Sequence, residues 1–407
     1  MPLLDLSPAR TRVVREVEFR REPLPPLSLL GREWRALEAI STASFFTSWR
    51  WIGTLLATVP ATRHPSLLRG VVQGETVALA LLGSAVTRRR HGLIQSRSLH
   101  LNEIGDPGFD ALTIEHNSIL AATARETEVY DAALAWFSGM SHEADELYFS
   151  GSMLRLPEEV VEGRGLGRSE TRVPSYSVDL ALLAPSDGEL YPVLSANARQ
   201  QLRRAFRNFE RRGLLCLTAA TTLEEALKFF AELRALHCAS WVRRGKVHAF
   251  TGAFFEPFHR RLIESCFDDG GIQLLKASAG ERVIGYLYNF RQGSRIYAYQ
   301  SGFAGASRGE RPGVVAHALA IRRAFRSGAR VYDFMAGRNR LKQSFATRCE
   351  PMFWQVFQQP RLAFRFERLV RRVKRGLVAR KPLPLGQEFT HPQTDGFADI
   401  EASCRSF

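Results

Sequence analysis

Gln273–Gly302 reads QLLKASAGERVIGYLYNFRQGSRIYAYQSG, and this stretch decides the fold. It divides into three strand-like runs, Gln273–Ser278, Val283–Phe290 and Arg295–Gly302, which make a meander. A helix at Gly313–Arg326 and a strand at Val331–Phe334 follow it. Outward towards the N-terminus the same order occurs once more: strands at Leu67–Gln73, Thr76–Val86 and Leu93–Leu101, a helix at Glu126–Phe137 and a strand at Glu146–Phe149. Turn chemistry recurs as well, since Gly74-Glu75-Thr76-Val77 matches Gly280-Glu281-Arg282-Val283 between strand-like runs. A duplicated fold is the expectation.

The 407-residue chain exceeds the size of one hydrophobic core, and its 45% apolar content suffices to fill two. The expected organisation is a basic lead over 1–27, a first domain over 28–175, a second over 176–360, and a basic helix and tail over 361–407. Residues 157–172, rich in Glu, Gly and Arg, read as an exposed connection, and a strand is expected at Tyr176–Leu183. No apolar run reaches the length of a membrane span, and Met1–Arg21 lacks the pattern of a secretory signal. A cytoplasmic protein is expected, with peripheral attachment to the inner membrane left open. The five cysteines are scattered without a Cys-x-x-Cys pair, which argues against a disulfide framework and a structural zinc site. No metal is expected. The net charge of +15 calls for an anionic ligand, substrate or surface.

Where the meander meets the following helix, Ala304–Val315 combines Gly305, Ser307, Arg308, Gly309, Arg311, Pro312 and Gly313. Flexible backbone, cationic side chains and a helix N-terminus together suit a pyrophosphate, and Pro312 fits the first helical turn. An ordinary Gly-rich loop before an amphipathic helix explains the same residues. The strand before it carries Tyr297 and Tyr299 on one face and Gln300 on the other.

Leu194-Ser195-Ala196-Asn197-Ala198-Arg199 leading into Leu202-Arg203-Arg204, the Tyr299–Gly302 strand with Arg311-Pro312-Gly313, and Val331-Tyr332-Asp333-Phe334 with Gly337 and Leu341-Lys342 carry a family resemblance. Together they resemble the GNAT-superfamily acetyltransferase domain associated with cellulose and exopolysaccharide synthesis, which is similar to Fem-type aminoacyltransferases. Leu341 departs from the family pattern, which more often has an aromatic residue before the lysine. The resemblance implies a mixed α/β (α+β) fold of two tandem GNAT-like domains, each a mainly antiparallel central sheet flanked by helices. It also implies acetyl-CoA or another acyl-CoA as donor, and an amine or sugar hydroxyl as acceptor.

On this basis Tyr299, Gln300, Ser307, Arg308, Gly309, Arg311 and Gly313 are the expected donor-binding residues. Asp333 and Lys342 flank the last strand and its loop, where a GNAT fold parts its central strands. A lysine there could hold a phosphate or stabilise a carbonyl oxygen, and an aspartate could orient it or accept a proton; a surface ion pair is the plain alternative. In the first half, Asn102, Glu103, Glu115 and His116 concentrate polar groups between a strand and a helix. Glu115, Asp333 or a water is the expected base and Asn102, Glu103 and His116 the expected acceptor contacts, although helix capping and turn formation account for much of the cluster.

On the helix Ala196–Arg212, Arg199, Arg203 and Arg207 share a face at i, i+4 spacing. Arg199 and Arg203 are taken as substrate-binding, against the alternative of a solvated face. His237, Cys238 and Trp241 on one helix read as core or supporting residues. The expected function is acyl transfer by direct attack of an acceptor on a thioester. Two alternatives stand beside it: an aminoacyl-tRNA donor, and a non-catalytic module that binds anionic partners. The expected partner is a small-molecule or saccharide acceptor, with an anionic membrane surface a further candidate and nucleic acid a lesser one.

Overall fold

A computed structural model describes residues 16–89, 94–245, 248–305 and 310–366. The first repeat runs β1 (Glu18–Glu22), α1 (Leu27–Glu38), α2 (Trp49–Thr58), β2 (Ser66–Val72), β3 (Glu75–Arg89) and β4 (Ile94–Leu101). It continues through α3 (Pro107–Asp110), β5 (Leu120–Ala121), α4 (Glu126–Gly139), β6 (Glu146–Ser152), α5 (Glu158–Gly163) and β7 (Gly167–Asp179). A linking helix, α6 (Ala196–Glu210), leads to the second repeat, which opens with β8 (Leu215–Ala219), α7 (Leu223–Val242), α8 (Phe255–Cys266) and β9 (Ile272–Ala279). The chain then forms β10 (Arg282–Gln292), β11 (Arg295–Phe303), α9 (Pro312–Arg326), β12 (Val331–Ala336), α10 (Arg340–Phe345) and β13 (Arg348–Gln358). Apart from α3 and β5, the two repeats have the same elements in the same order.

The expected duplication is therefore present, and its matched turns occupy equivalent places. Gly74 closes the β2–β3 turn with φ +85° and Gly280 the β9–β10 turn with φ +56°, a left-handed backbone that glycine adopts at no steric cost.

All the strands join one sheet in the order β1-β2-β3-β4-β6-β13-β7-β12-β11-β10-β9-β8, with β5 on β3. This order shows that the repeats exchange their last strands. β13 from the second repeat pairs with β6 of the first, while β7 from the first pairs with β12 of the second. The exchanged strands pair with each other over eleven positions, from Arg348↔Ser177 to Gln358↔Gly167. The boundary expected at 175/176 thus falls inside β7, and 167–172, read as connection, is the first half of that strand. Its charged residues misled: Glu170 is held by Arg155 and Arg172, and Arg168 reaches Glu158, so ion pairs let the segment lie in the middle of a sheet. The strand at 348–358 was not expected, and a further strand lies at Glu18–Glu22, within the segment read as a basic lead.

Two helical layers cover the second repeat's strands. On one face α6 and α9 enclose Leu275, Leu287, Tyr332 and Phe334. On the other, α1 and α2 of the first repeat share a single core with α7 and α8 of the second. Phe45 stacks on Phe290 at 4.3 Å and Trp51 meets Phe258 at 4.8 Å, so aromatic packing ties the repeats together as firmly as the sheet does. Gly302 marks the closest approach of α7: a Cβ there would lie 2.3 Å from the Leu233 carbonyl oxygen. Among the described residues no helix is long and apolar enough to cross a membrane.

Strand exchange makes each repeat incomplete without the other. Ending the chain at Thr347 removes the strand between β6 and β7 and is expected to abolish cooperative unfolding of both repeats, seen as loss of a single urea transition by circular dichroism. Gly302→Ala, which keeps all strands, should cost about 1–3 kcal/mol in the same assay.

Candidate active site

Each repeat contains one parallel strand pair, and in each the pair parts towards one end. β11 and β12 pair only over Arg295–Tyr297 and Val331–Asp333, after which β11 continues to Phe303 and β12 to Ala336 without bonding each other. β4 and β6 likewise pair over Ser98–His100 and Glu146–Tyr148, and then separate.

The two gaps have different fates. In the first repeat Asn117 closes the gap: its N–H donates to Gly151 O (3.0 Å) beyond β6's paired segment, and its side-chain amide to Leu101 O (2.8 Å) at the end of β4. Asn102 donates to Asn117 Oδ1 and Ser118 O, both at 2.8 Å, and accepts from Leu81 N at 2.9 Å. Glu103 accepts from Ser150 Oγ at 2.7 Å and is 4% exposed. Asn102 and Glu103, expected to contact substrate, instead pin a buried loop whose backbone would otherwise lack partners. In the second repeat the connection from β11 to α9 is short and closes no such gap among the described residues.

The loop that plugs the first gap also reaches across to the second. Thr113 and His116 adopt φ +59° and +50°, a left-handed conformation costing on the order of 1–3 kcal/mol in a non-glycine residue. That turn delivers Glu115 and His116 to β12. Glu115 Oε2 accepts from Ala336 N at 2.7 Å, and His116 Nε2 lies 3.1 Å from Asp333 Oδ2, a close contact poorly aligned for a hydrogen bond. Arg295 donates to the same Asp333 oxygen at 2.6 Å, and Met335 N to its other oxygen at 2.7 Å. β12 bulges here, with Met335 at φ +64°. The bulge offers the carbonyls of Met335 and Ala336 to Lys342 Nζ, at 3.3 and 2.5 Å. Glu115, His116, Asp333 and Lys342, spread over 228 positions of sequence (115 to 342), therefore meet at the mouth of the second gap.

Burial dominates the electrostatics. It pushes the Glu115 carboxyl above its usual range; Lys342, the Ala336 N–H and His116 oppose the shift without cancelling it. It lowers Lys342, against the pull of Glu115 and Asp333. Burial acts on Asp333 too, but His116, Arg295 and the Met335 N–H outweigh it and hold that carboxyl below its ordinary value. The cluster thus contains an anion that stays charged and an acid–amine pair whose members are both shifted towards neutrality.

The other expected residues lie elsewhere. Tyr299, expected at the donor, is the extra residue of a β-bulge in β11; its hydroxyl donates to Leu112 O and its ring lies 4.6 Å from Phe290 in the shared aromatic core. Gln300 folds back so that Oε1 accepts from Ser301 N at 3.1 Å. Arg311 caps α9 and donates to Gln201 on α6, while Gly313 faces Phe303 and Leu341. Ser307, Arg308 and Gly309 lie outside the described residues. Arg199 and Arg203 line a recess of about 710 Å³ with Tyr191 and Arg207 on α6. That helix covers the face of the sheet bearing Tyr332 and Phe334, whereas Asp333 and Met335 point to the opposite face, so these arginines do not join the cluster. The sequence offered no local signal for Arg295, which joins the cluster through Asp333.

The carboxylates give opposite pH behaviour. Asp333, depressed in the folded state, contributes stability present above its unfolded pKa and lost as pH falls through the folded value; Asp333→Asn should cost about 3 kcal/mol at pH 7, less near pH 3. Glu115, raised in the folded state, opposes folding when charged, so Glu115→Gln should leave urea stability equal or higher at pH 7, with the difference vanishing below the folded pKa.

Residues 196–343 match the acetyltransferase (GNAT) domain family. No curated protein matches the chain in sequence. Among solved structures, FemX superposes with a TM-score of 0.54 at 11% identity, covering 86% of this chain and 99% of its own. L-PGS from Bacillus licheniformis gives 0.47 at 10% identity over 88% and 98%. A tandem GNAT protein from the clavulanic acid biosynthesis pathway gives 0.44 at 12% identity over 84% and 98%. Residues 196–343, from α6 into α10, are thus similar to a GNAT acetyltransferase domain, and the chain folds as two tandem GNAT-like units within one mixed, mostly antiparallel sheet.

Proposed function

We propose that the chain is an acyl-CoA-dependent acyltransferase with one active site, at the β11–β12 gap of the second repeat. The observation that carries this reading is the meeting of Glu115, Lys342 and Asp333 at the gap, with the N-terminus of α9 beside it. A helix N-terminus presents N–H groups and a positive dipole end to phosphate, Arg311 adds a cation, and the parted strands leave room for an extended thioester. Glu115, its carboxyl raised by burial, is suited to take a proton from an amine or hydroxyl acceptor as that atom attacks the thioester carbonyl. Lys342 holds the bulge carbonyls and places positive charge near the reacting centre. Asp333, fixed by Arg295 and His116, orients the loop that carries Glu115. The acceptor would enter between the repeats, and a small amine or saccharide of envelope or exopolysaccharide metabolism fits the resemblance seen in the sequence.

A second reading, an aminoacyl-tRNA donor, draws on α6. Arg199, Arg204, Arg207 and Arg211 have no carboxylate within ion-pair distance among the described residues, and Arg203 lies over Tyr191 at 5.4 Å. Such a face suits a polyanion. Against it, α7 packs onto β9, β10 and β11 and α8 onto α2 and α7, and neither projects as an arm.

Thermal unfolding with acetyl-CoA, longer acyl-CoAs and free CoA tests the proposal. A rise in Tm, saturating at one CoA per chain because the first gap is plugged, is expected. Arg311→Ala should weaken binding about 10-fold, and Glu115→Gln should lower kcat about 100-fold with little change in KM. A folded protein whose Tm no CoA compound moves would overturn the acyl-CoA donor and turn the assignment to aminoacyl-tRNA.

A further inference from the structure

α9 does more than present its N-terminus to the gap. Its first turn spans the opening, because a Cβ on Gly313 would lie 3.1 Å from the Phe303 ring on one side and 3.5 Å from Leu341 on the other. One turn further along the same helix face is His317. Its ring centre is 6.0 Å from that of Phe303 on β11 and 5.3 Å from that of Phe334 on β12. Both phenylalanines stand past the last paired residues, Tyr297 and Asp333. The imidazole therefore bridges the strands where their bonding has stopped, on the face opposite Glu115. It is buried, at 8% exposure.

The hydrogen bonds around His317 set its tautomer. Nδ1 is 3.0 Å from the Tyr332 hydroxyl, and Nε2 has no partner among the described residues. Tyr332 is fully buried and keeps its proton, burial pushing its pKa upward. The Asn289 side chain beside it makes no well-aligned hydrogen bond, which leaves His317 Nδ1 free to accept the tyrosine proton. In that arrangement the ring hydrogen is on Nε2. Burial, and after it the charge of Lys342, lowers the imidazole pKa to about 3, so the ring is uncharged at any working pH. Lys342 also acts on Glu115, so its charge is felt by both residues. Meanwhile the Ser301 N–H, next to Gln300 on β11, is already capped by the Gln300 side chain.

We infer that His317 is a further residue of the transfer site, its Nε2–H an uncharged hydrogen-bond donor to the carbonyl oxygen of the acyl donor's thioester. This rests on the acyl-CoA reading given above. His317 exchanges no proton; it stabilises the charge that builds on that oxygen as the acceptor attacks, and Tyr332 keeps the donating nitrogen turned into the gap. Its uncharged state keeps it from competing with Lys342 for Glu115.

Steady-state kinetics on the full chain with acetyl-CoA, alongside Tm shifts by CoA, compare wild type with His317→Leu, His317→Gln and Tyr332→Phe. His317→Leu should lose about 100-fold in kcat with KM for acetyl-CoA within about threefold, and His317→Gln, which restores an N–H donor, should recover part of the loss. Tyr332→Phe should fall between them. A folded His317→Leu that binds CoA and turns over at the wild-type rate overturns the inference alone; a wild type with neither CoA shift nor turnover overturns the donor assignment beneath it. Should the variants not fold, imidazole ¹⁵N NMR of the wild type decides. A neutral Nε2–H tautomer whose Nε2 signal moves with a ketone analogue of acetyl-CoA supports the inference, and an Nδ1–H tautomer or an unmoved signal overturns it.

Discussion

The pairing of β7 with β13 at the centre of the sheet is the contact on which the rest of the molecule depends. Eleven residues of each strand are aligned there, and each strand carries its own repeat across to the other's parallel pair. An antiparallel pair in mid-sheet leaves no free edges and satisfies its backbone on both sides. Because the exchange fixes how the repeats face each other, it also fixes which loop of the first repeat can reach β12. The aromatic core of Phe45, Trp51, Phe258 and Phe290 then fills the space the exchange creates.

A duplicated fold begins with two equivalent gaps, and this chain uses them unequally. The first repeat carries an extra segment with α3 and β5 between β4 and α4. Asn117 uses that segment to bond both parted strands, so the first gap is spent on structure. The second repeat keeps a short connection, which closes no such gap among the described residues. One insertion thereby closes one site and furnishes the other with Glu115 and His116. Left-handed backbone at Thr113 and His116 is the local cost of projecting those residues sideways.

Three ionisable groups buried in one place would be strongly unfavourable if each stood alone. Here Asp333 has the Arg295 guanidinium, the His116 imidazole at 3.1 Å and a backbone N–H, Glu115 has the Ala336 N–H, and Lys342 has two carbonyls. Asp333 is over-supplied with partners and stays ionised, whereas Glu115 and Lys342 are under-supplied and move towards neutrality. That imbalance leaves one carboxylate held in its charged form and another shifted towards neutrality in the same buried cluster.

Much of this architecture was legible in the sequence. Strand and helix positions followed from apolar periodicity, and the duplication from element order and the Gly-Glu turns, because these are local properties of a chain that must bury one face of each element. Glu115, His116, Asp333 and Lys342 could be singled out from polar residues beside strand ends. Asn102, Glu103 and Tyr299 could not be told from them, since a buried side chain that bonds backbone has the same composition as one that bonds a ligand. The exchange of β7 and β13, the plugging of the first gap by Asn117 and the meeting of Glu115, Asp333 and Lys342 at the second belong to the tertiary structure alone. Each depends on contacts between segments tens to more than two hundred residues apart, and periodicity records which face of an element is buried but not against what.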